Sequence, residues 1–271
     1  MVVLVATLDH ENVDQLLEEM NLHTVETIVI NQSRSAREET IVEQREHATI
    51  VHSCDLGLSA SRNEALSYAG SDDICQVADD DLVFVDNYQE IVNNAYQEYP
   101  DADVIIFYVD FENHAIKRPK LSQGKMSYLD AMRASSVQIS FKKSSLDKVG
   151  LLFDERFGIG AQYGSGEEII LLFDALRKGL KLYSYPEKIA SLKERESHWD
   201  RSNTPENCRK RGAIYKRMSP NWYWLLIFQF AIRKRKLMLP EISMFQNMKY
   251  MLQGAKDFRN FDKFNPLRGA D

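Results

Sequence analysis

The chain has 271 residues, 44% of them hydrophobic and 27% charged, with a formal net charge of −6 and a pI near 5.6. This composition argues against disorder, and the length provides for a core that needs no disulfide or metal staples. Three widely spaced cysteines, Cys54, Cys75 and Cys208, form no CxxC pair. They speak against a disulfide framework or zinc cage and fit a reducing, cytoplasmic compartment.

Residues 2–8 (VVLVATL) are a short apolar run of the kind found in buried parallel strands, and no basic leader of a signal peptide precedes them. Val13, Leu16, Leu17 and Met20 then fall on one helical face behind Asn12, a suitable N-cap. Residues 25–30 and 47–52 read as the second and third strands, with a polar stretch between them. A helix is expected over 59–69 and a short strand over 74–78, which runs straight into Asp79-Asp80-Asp81. Tyr88, Ile91, Val92, Ala95, Tyr96 and Tyr99 recur at helical spacing up to Pro100. Residues 104–109 (VIIFYV) form the clearest strand.

Residues 111–134 are polar and read as irregular. A strand near 137–141 and a short helix ending near Gly150 follow. A helix is predicted over 167–178 with Gly179 as its stop, then a last strand over 180–185. Strands alternating with helices imply an α/β fold with a mostly parallel central sheet flanked by helices. Residues 1–204 make up this body and residues 205–271 a helical tail. No GxxxxGK[ST] loop occurs, and Gly158-Ile159-Gly160 with Gly164 has the wrong spacing for a dinucleotide fingerprint.

Charge divides the same way. Residues 205–271 hold 14 Lys and Arg against 5 Asp and Glu, a balance of +9, which leaves −15 for residues 1–204. Within the tail, Pro220 to Ile232 (PNWYWLLIFQFAI) is strongly apolar and Arg233-Lys234-Arg235-Lys236 follows directly. As a helix, Trp222 to Ile232 spans only about 16 Å, too short to cross a bilayer. Two readings stay open for it: a helix lying in an anionic membrane interface at the inner face, or a helix packed on the domain. Nucleic acid is not expected as a partner, because the acidic body repels a polyanion and no recognition module is present.

In open α/β sheets, ligands bind beyond the carboxyl ends of the strands, where Asp79-Asp80-Asp81 falls. Three adjacent carboxylates repel one another unless a cation joins them, and Mg²⁺ or Mn²⁺ bridging to phosphates is a common solution. The alternative is an acidic turn in solvent.

Three segments together resemble the family 2 glycosyltransferases. Gly57, Ser59, Arg62 and Asn63 match the family's Gly-x-Ser-x-x-Arg-Asn, and Asp79–Asp81 matches its DXD motif. The third is Glu167-Glu168, opening a helix that leads through Gly179 to Tyr185-Pro186-Glu187; it matches the family's Glu-Asp, glycine and Pro-Glu series. The resemblance covers about residues 1–190 and implies the GT-A fold, a nucleotide-sugar donor and a Mn²⁺ or Mg²⁺ cofactor. It places Asp79 and Asp81 on the metal, with Asp80 open as a neighbouring register, and His198 as a third ligand.

By the same resemblance Arg62 and Asn63 stand near the donor, the alternative for Arg62 being a surface helix arginine. Glu168 aligns with the catalytic base and Glu167 is the runner-up, while an acid pair complementing the helix dipole is the structural alternative. Where the family has Pro-Thr-Tyr-Asn and Asp-Asp-x-Ser, this chain has Ala6-Thr7-Leu8-Asp9 and Asn31-Gln32. Thr7, Asn31 and Gln32 are therefore expected at the donor, the last two through amides that can meet a base edge. The implied activity is inverting sugar transfer to a saccharide or lipid-linked saccharide. A Mg²⁺ phosphohydrolase and a catalytically silent nucleotide-binding scaffold are the competing classes.

Overall fold

The computed structural model describes residues 1–35, 39–111, 120–193, 204–238 and 242–264. The chain divides into two compact units, Met1–Ala161 with Glu167–Glu196, and Gln162–Gly166 with Ser197–Asp271.

The strands of the first unit are β1 (Val2–Leu8), β2 (Thr27–Gln32), β3 (Ile41–Gln44), β4 (Ala48–Ser53), β5 (Ile74–Asp79), β6 (Leu82–Phe84), β7 (Val104–Asp110), β8 (Gly124–Lys125), β9 (Ile139–Lys142) and β10 (Leu182–Leu192). Its helices are α1 (Val13–Glu19), α2 (Leu58–Tyr68), α3 (Tyr88–Glu98), α4 (Tyr128–Ala131), α5 (Lys143–Lys148) and α6 (Glu167–Arg177). One sheet results, in the order β3-β4-β2-β1-β5-β9-β7-β10-β6, with β8 on β10. Strands β4, β2, β1, β5, β7 and β10 run the same way, and β9 lies antiparallel between β5 and β7.

Alternation along the strands explains the layers. Val3, Val5, Val29, Ile105 and Phe107 share a buried cluster with Val13 and Leu16 of α1, Met20 at its C-terminal cap, and Ile91, Val92 and Tyr96 of α3. Helix α2 lies against β1 and β2, whose Leu4, Ile28 and Ile30 are buried outside that cluster. Such cover turns β1 and β7 into unbroken apolar runs. The Asn12 side chain caps α1 by accepting from Gln15 N at 3.1 Å. Gly179, at φ +85°, ends α6, with Leu180 N bonding back to Ala175 O at 3.0 Å.

The structure departs from the sequence reading in four places. The polar stretch after β2 contains β3, an edge strand whose Ile41 and Val42 are exposed. Three residues directly after the acid triplet form β6, which pairs with β10. Residues 111–134, expected to be irregular, include β8 and α4, the latter closed by a Ser127–Asp130 capping box. The final strand runs to Leu192 rather than ending at Tyr185, because register shifts against β7 after Tyr185 accommodate Pro186, which has no ladder donor.

The second unit contains α7 (Pro205–Met218), α8 (Tyr223–Met238) and α9 (Met244–Phe264). Thr204 caps α7, accepting from Asn207 N at 3.2 Å, and Pro205 opens the first turn. Gly212 of α7 and Gly254 of α9 let the two backbones touch. A Cβ on Gly212 would lie 1.9 Å from Met251 O, and one on Gly254 1.9 Å from Arg209 O. Beside this crossing Asn247 Nδ2 donates to the buried Cys208 Sγ at 3.1 Å.

Candidate active site

Parallel register brings the predicted residues to one edge of the sheet. Ala6 pairs with Asp79, Thr7 with Asn31 and Leu8 with Gln32, so the carboxyl ends of β1, β2 and β5 lie side by side. Thr7 Oγ1 donates to Asp80 Oδ2 at 2.7 Å across that edge. Asp79, Asp80 and Asp81 are all partly exposed, and Asp81 O accepts from Lys193 N at 2.7 Å.

Asn31 and Gln32 hold the loops beside this edge. Asn31 accepts from His10 N at 3.1 Å and donates to His10 O at 2.8 Å. Gln32 donates to Gly57 O at 3.2 Å and accepts from Gly57 N at 3.3 Å. Each amide mimics a peptide group and clamps a neighbouring loop, since it offers one donor side and one acceptor side.

The Gly57–Asn63 motif fixes α2 against the loop before α6. Ser59, Arg62 and Asn63 share a helix face at i, i+3 and i+4. Ser59 Oγ donates to Phe157 O at 2.6 Å, and Leu58 N to Ile159 O at 2.9 Å. Asn63 Nδ2 donates to Phe153 O at 2.9 Å and its Oδ1 accepts from Phe153 N at 2.9 Å, so this residue holds the loop. Gly158 and Gly160 make the approach possible. A Cβ on Gly160 would sit 3.2 Å from Gly57 Cα, and one on Gly158 3.1 Å from Ser59 Oγ.

Arg62 is the centre of the constellation and is no surface arginine, being 1% exposed. Its Nη2 lies 2.9 Å from Asp79 Oδ1 at the end of β5, and its Nη1 2.9 Å from Glu167 Oε1 at the start of α6. The guanidinium also stands over the Phe153 ring, 5.5 Å from its centre. Burial disfavours its charge, but Asp79, then Glu167 and Glu168, favour it more, so its pKa lies above the usual arginine value.

Glu167 and Glu168 are 5% and 6% exposed, in the first turn of α6, where negative charge complements the helix dipole. Glu167 forms an ion pair with Arg62. His198 lies outside the described residues. Among the described residues, no three His, Cys, Asp or Glu side chains form a ready-made metal cage.

The sequence motif marks Arg62 and Asn63 but not the partners they hold. Their shared helix face is the available signal; Phe153 and Phe157, and the pairing of Arg62 with Glu167, become visible only in three dimensions. The mostly parallel sheet, the acid-bearing strand end and the helix opening on two acids define an α/β enzyme fold of the GT-A type.

Residues 10–149 match the profile of Glycosyl transferase family 2, and the chain belongs to that family, a class of glycosyltransferases. Its fold is similar to that of S. aureus TarS. TarS 1-349 in complex with UDP is 11% identical, with 99% of this chain and 73% of that chain covered and a TM-score of 0.56. TarS 1-349 in complex with UDP-GlcNAc is 10% identical, with 96% and 92% covered and a TM-score of 0.58. No curated protein matches the chain.

Proposed function

We propose that this glycosyltransferase moves a sugar from a nucleotide-sugar donor, of the uridine diphosphate type, to a hydroxyl of a saccharide or lipid-linked saccharide. The transfer inverts the anomeric centre and depends on Mn²⁺ or Mg²⁺. The observation that carries this reading is the Asp79–Arg62–Glu167 bridge through the buried Arg62, which ties the acidic strand end to the acids that open α6. Complexes of the similarly folded TarS with UDP and UDP-GlcNAc support the choice of donor.

The donor set suits a hard ion shared with substrate. Asp79 and Asp81 offer only carboxylate oxygens, and Mg²⁺-type ions are commonly held by one or two carboxylates completed by substrate phosphates. When bound, the ion supplies positive charge to the departing diphosphate. Thr7 orients Asp80 beside this pair, while Arg62 sets the Asp79 carboxylate by holding Oδ1.

At the other end Glu168 takes the proton of the acceptor hydroxyl as that oxygen attacks the anomeric carbon. Glu167, tied to Arg62, holds the helix start. A single in-line displacement, with one base and no covalent sugar–enzyme intermediate, inverts the configuration.

The test is a panel of sugar nucleotides incubated with acceptor extract and Mn²⁺, read as nucleoside diphosphate release and as the anomeric configuration of the product. Release from a uridine-linked sugar with inversion is expected. Release that persists in excess chelator overturns the metal dependence, and a retained configuration overturns the mechanism.

A further inference from the structure

The outer face of α8 carries a surface that sugar transfer does not use. Ile227 and Ala231 are 1% and 0% exposed, and α8 packs with α7 and α9. On the opposite side Leu225, Phe228 and Ile232 follow at i, i+3 and i+7 and are 41%, 50% and 42% exposed. Trp222 and Trp224, 61% and 49% exposed, flank the start of this stripe. Arg233 is exposed at its end, and the helix runs on through the basic sequence Lys234-Arg235-Lys236. Three large apolar side chains on one helix face, with two exposed tryptophans beside its start, are more than scattered surface residues and mark an interaction site.

We infer that this face docks the protein on an anionic lipid bilayer, with α8 lying in the plane of the interface. Charge selects the occupant: exposed Arg233 follows the stripe, in a segment whose sequence balance is +9, and anionic headgroups complement it. Tryptophan beside phenylalanine and leucine on one side of a basic helix suits the headgroup–acyl boundary. Depth is limited, since among the described residues no helix is long and apolar enough to cross a membrane. Helix α9 repeats the chemistry, with exposed Phe245 and Leu252 flanked by exposed Lys249 and Lys256. One side of the helix packs on α7 and α9, and the other is exposed.

The test is flotation of the full chain, without donor or acceptor, on phosphatidylcholine vesicles with and without phosphatidylglycerol. Its outcome is therefore independent of the transfer reading. The chain is expected to float with the phosphatidylglycerol vesicles, to be released by high salt and to show a blue shift of tryptophan emission. Phe228→Asp should weaken partitioning about tenfold or more, because a charge replaces a buried ring in the interface. Arg233→Gln with Lys234→Gln provides a second variant that leaves the apolar stripe intact; it should reduce binding to phosphatidylglycerol vesicles alone. A chain that stays at the bottom with both vesicles overturns the inference, as does equal binding to both. So does a dimer in solution that Phe228→Asp converts to monomer, for the face would then belong to a second copy.

Discussion

Arg62 and Glu167 stand 105 residues apart in the chain, yet Nη1 of one lies 2.9 Å from Oε1 of the other in a buried ion pair. The same guanidinium holds Asp79. One side chain thus fixes α2, the end of β5 and the start of α6 relative to each other, and with them the acids assigned to the diphosphate end and to the acceptor end. A buried cation flanked by acids on two elements is a costly choice unless every partner is present.

Removing that cation should therefore cost stability as well as activity. Arg62→Met leaves Asp79 and Glu167 facing each other without a counter-charge, and breaking a buried pair in this way typically costs about 3–5 kcal/mol. Arg62→Lys restores charge but cannot reach both carboxylates with a planar fork, so it should recover only part of the loss. Urea unfolding followed by a probe in the first unit measures both variants. Wild-type stability in Arg62→Met would show that the bridge does not hold these elements together.

Glu167 and Glu168 are neighbours in the first turn of α6, and amide variants should separate their roles. Glu168→Gln is expected to lower kcat about 10²–10⁴-fold with donor binding and stability little changed, as for loss of a general base. Glu167→Gln keeps one hydrogen-bond acceptor for Arg62 but removes the charge, so stability should fall while a smaller part of kcat is lost. Single-turnover kinetics beside thermal unfolding gives the comparison, and the reverse pattern would exchange the two assignments.

If Asp79 and Asp81 share an ion with the donor's phosphates, metal and nucleotide should stabilise the fold together rather than separately. Ligand at 100 times its Kd adds about 2.7 kcal/mol to the folded state. UDP with Mn²⁺ should therefore raise Tm by several degrees, UDP with chelator much less, and Asp81→Ala should abolish the cooperative part. Equal shifts with and without Mn²⁺ would remove the ion from the donor site.

What the sequence reveals depends on how far each residue's partners lie along the chain. The apolar runs of β1 and β7 are legible because both strands are buried on both faces and leave no polar alternation to confuse them. Strand β3 is not, because an exposed four-residue edge strand has neither a buried run nor a clean period. The acid triplet and the Arg62–Asn63 pair stand out as motifs, but their roles depend on tertiary pairing. Arg62 meets Asp79 17 residues on, while Asn63 meets Phe153 at a distance of 90. Asn31 and Gln32 show the same limit. Their amides are equally suited to a base edge or to a peptide group, and the contacts with His10 and Gly57 appear only in three dimensions.

In the second unit the contact between α7 and α9 allows the sharpest stability test. A methyl on Gly212 would meet the Met251 carbonyl at 1.9 Å, and real Cβ contacts stay at or above about 3.0 Å, so the helices must part by about 1 Å. The obstacle is backbone, which cannot swing away as a side-chain tip can. Gly212→Ala should therefore destabilise the unit despite alanine's better helix propensity, by at least the roughly 1–3 kcal/mol typical of overpacking. Gly254→Ala forces the same separation from the other helix, against Arg209 O. Once one methyl has parted the helices, the second finds space already open, so the double variant should lose less than the sum of the single losses. Hydrogen exchange of the α7 and α9 amides resolves this unit from the sheet. Unchanged protection in Gly212→Ala would show that the two backbones do not touch at this crossing.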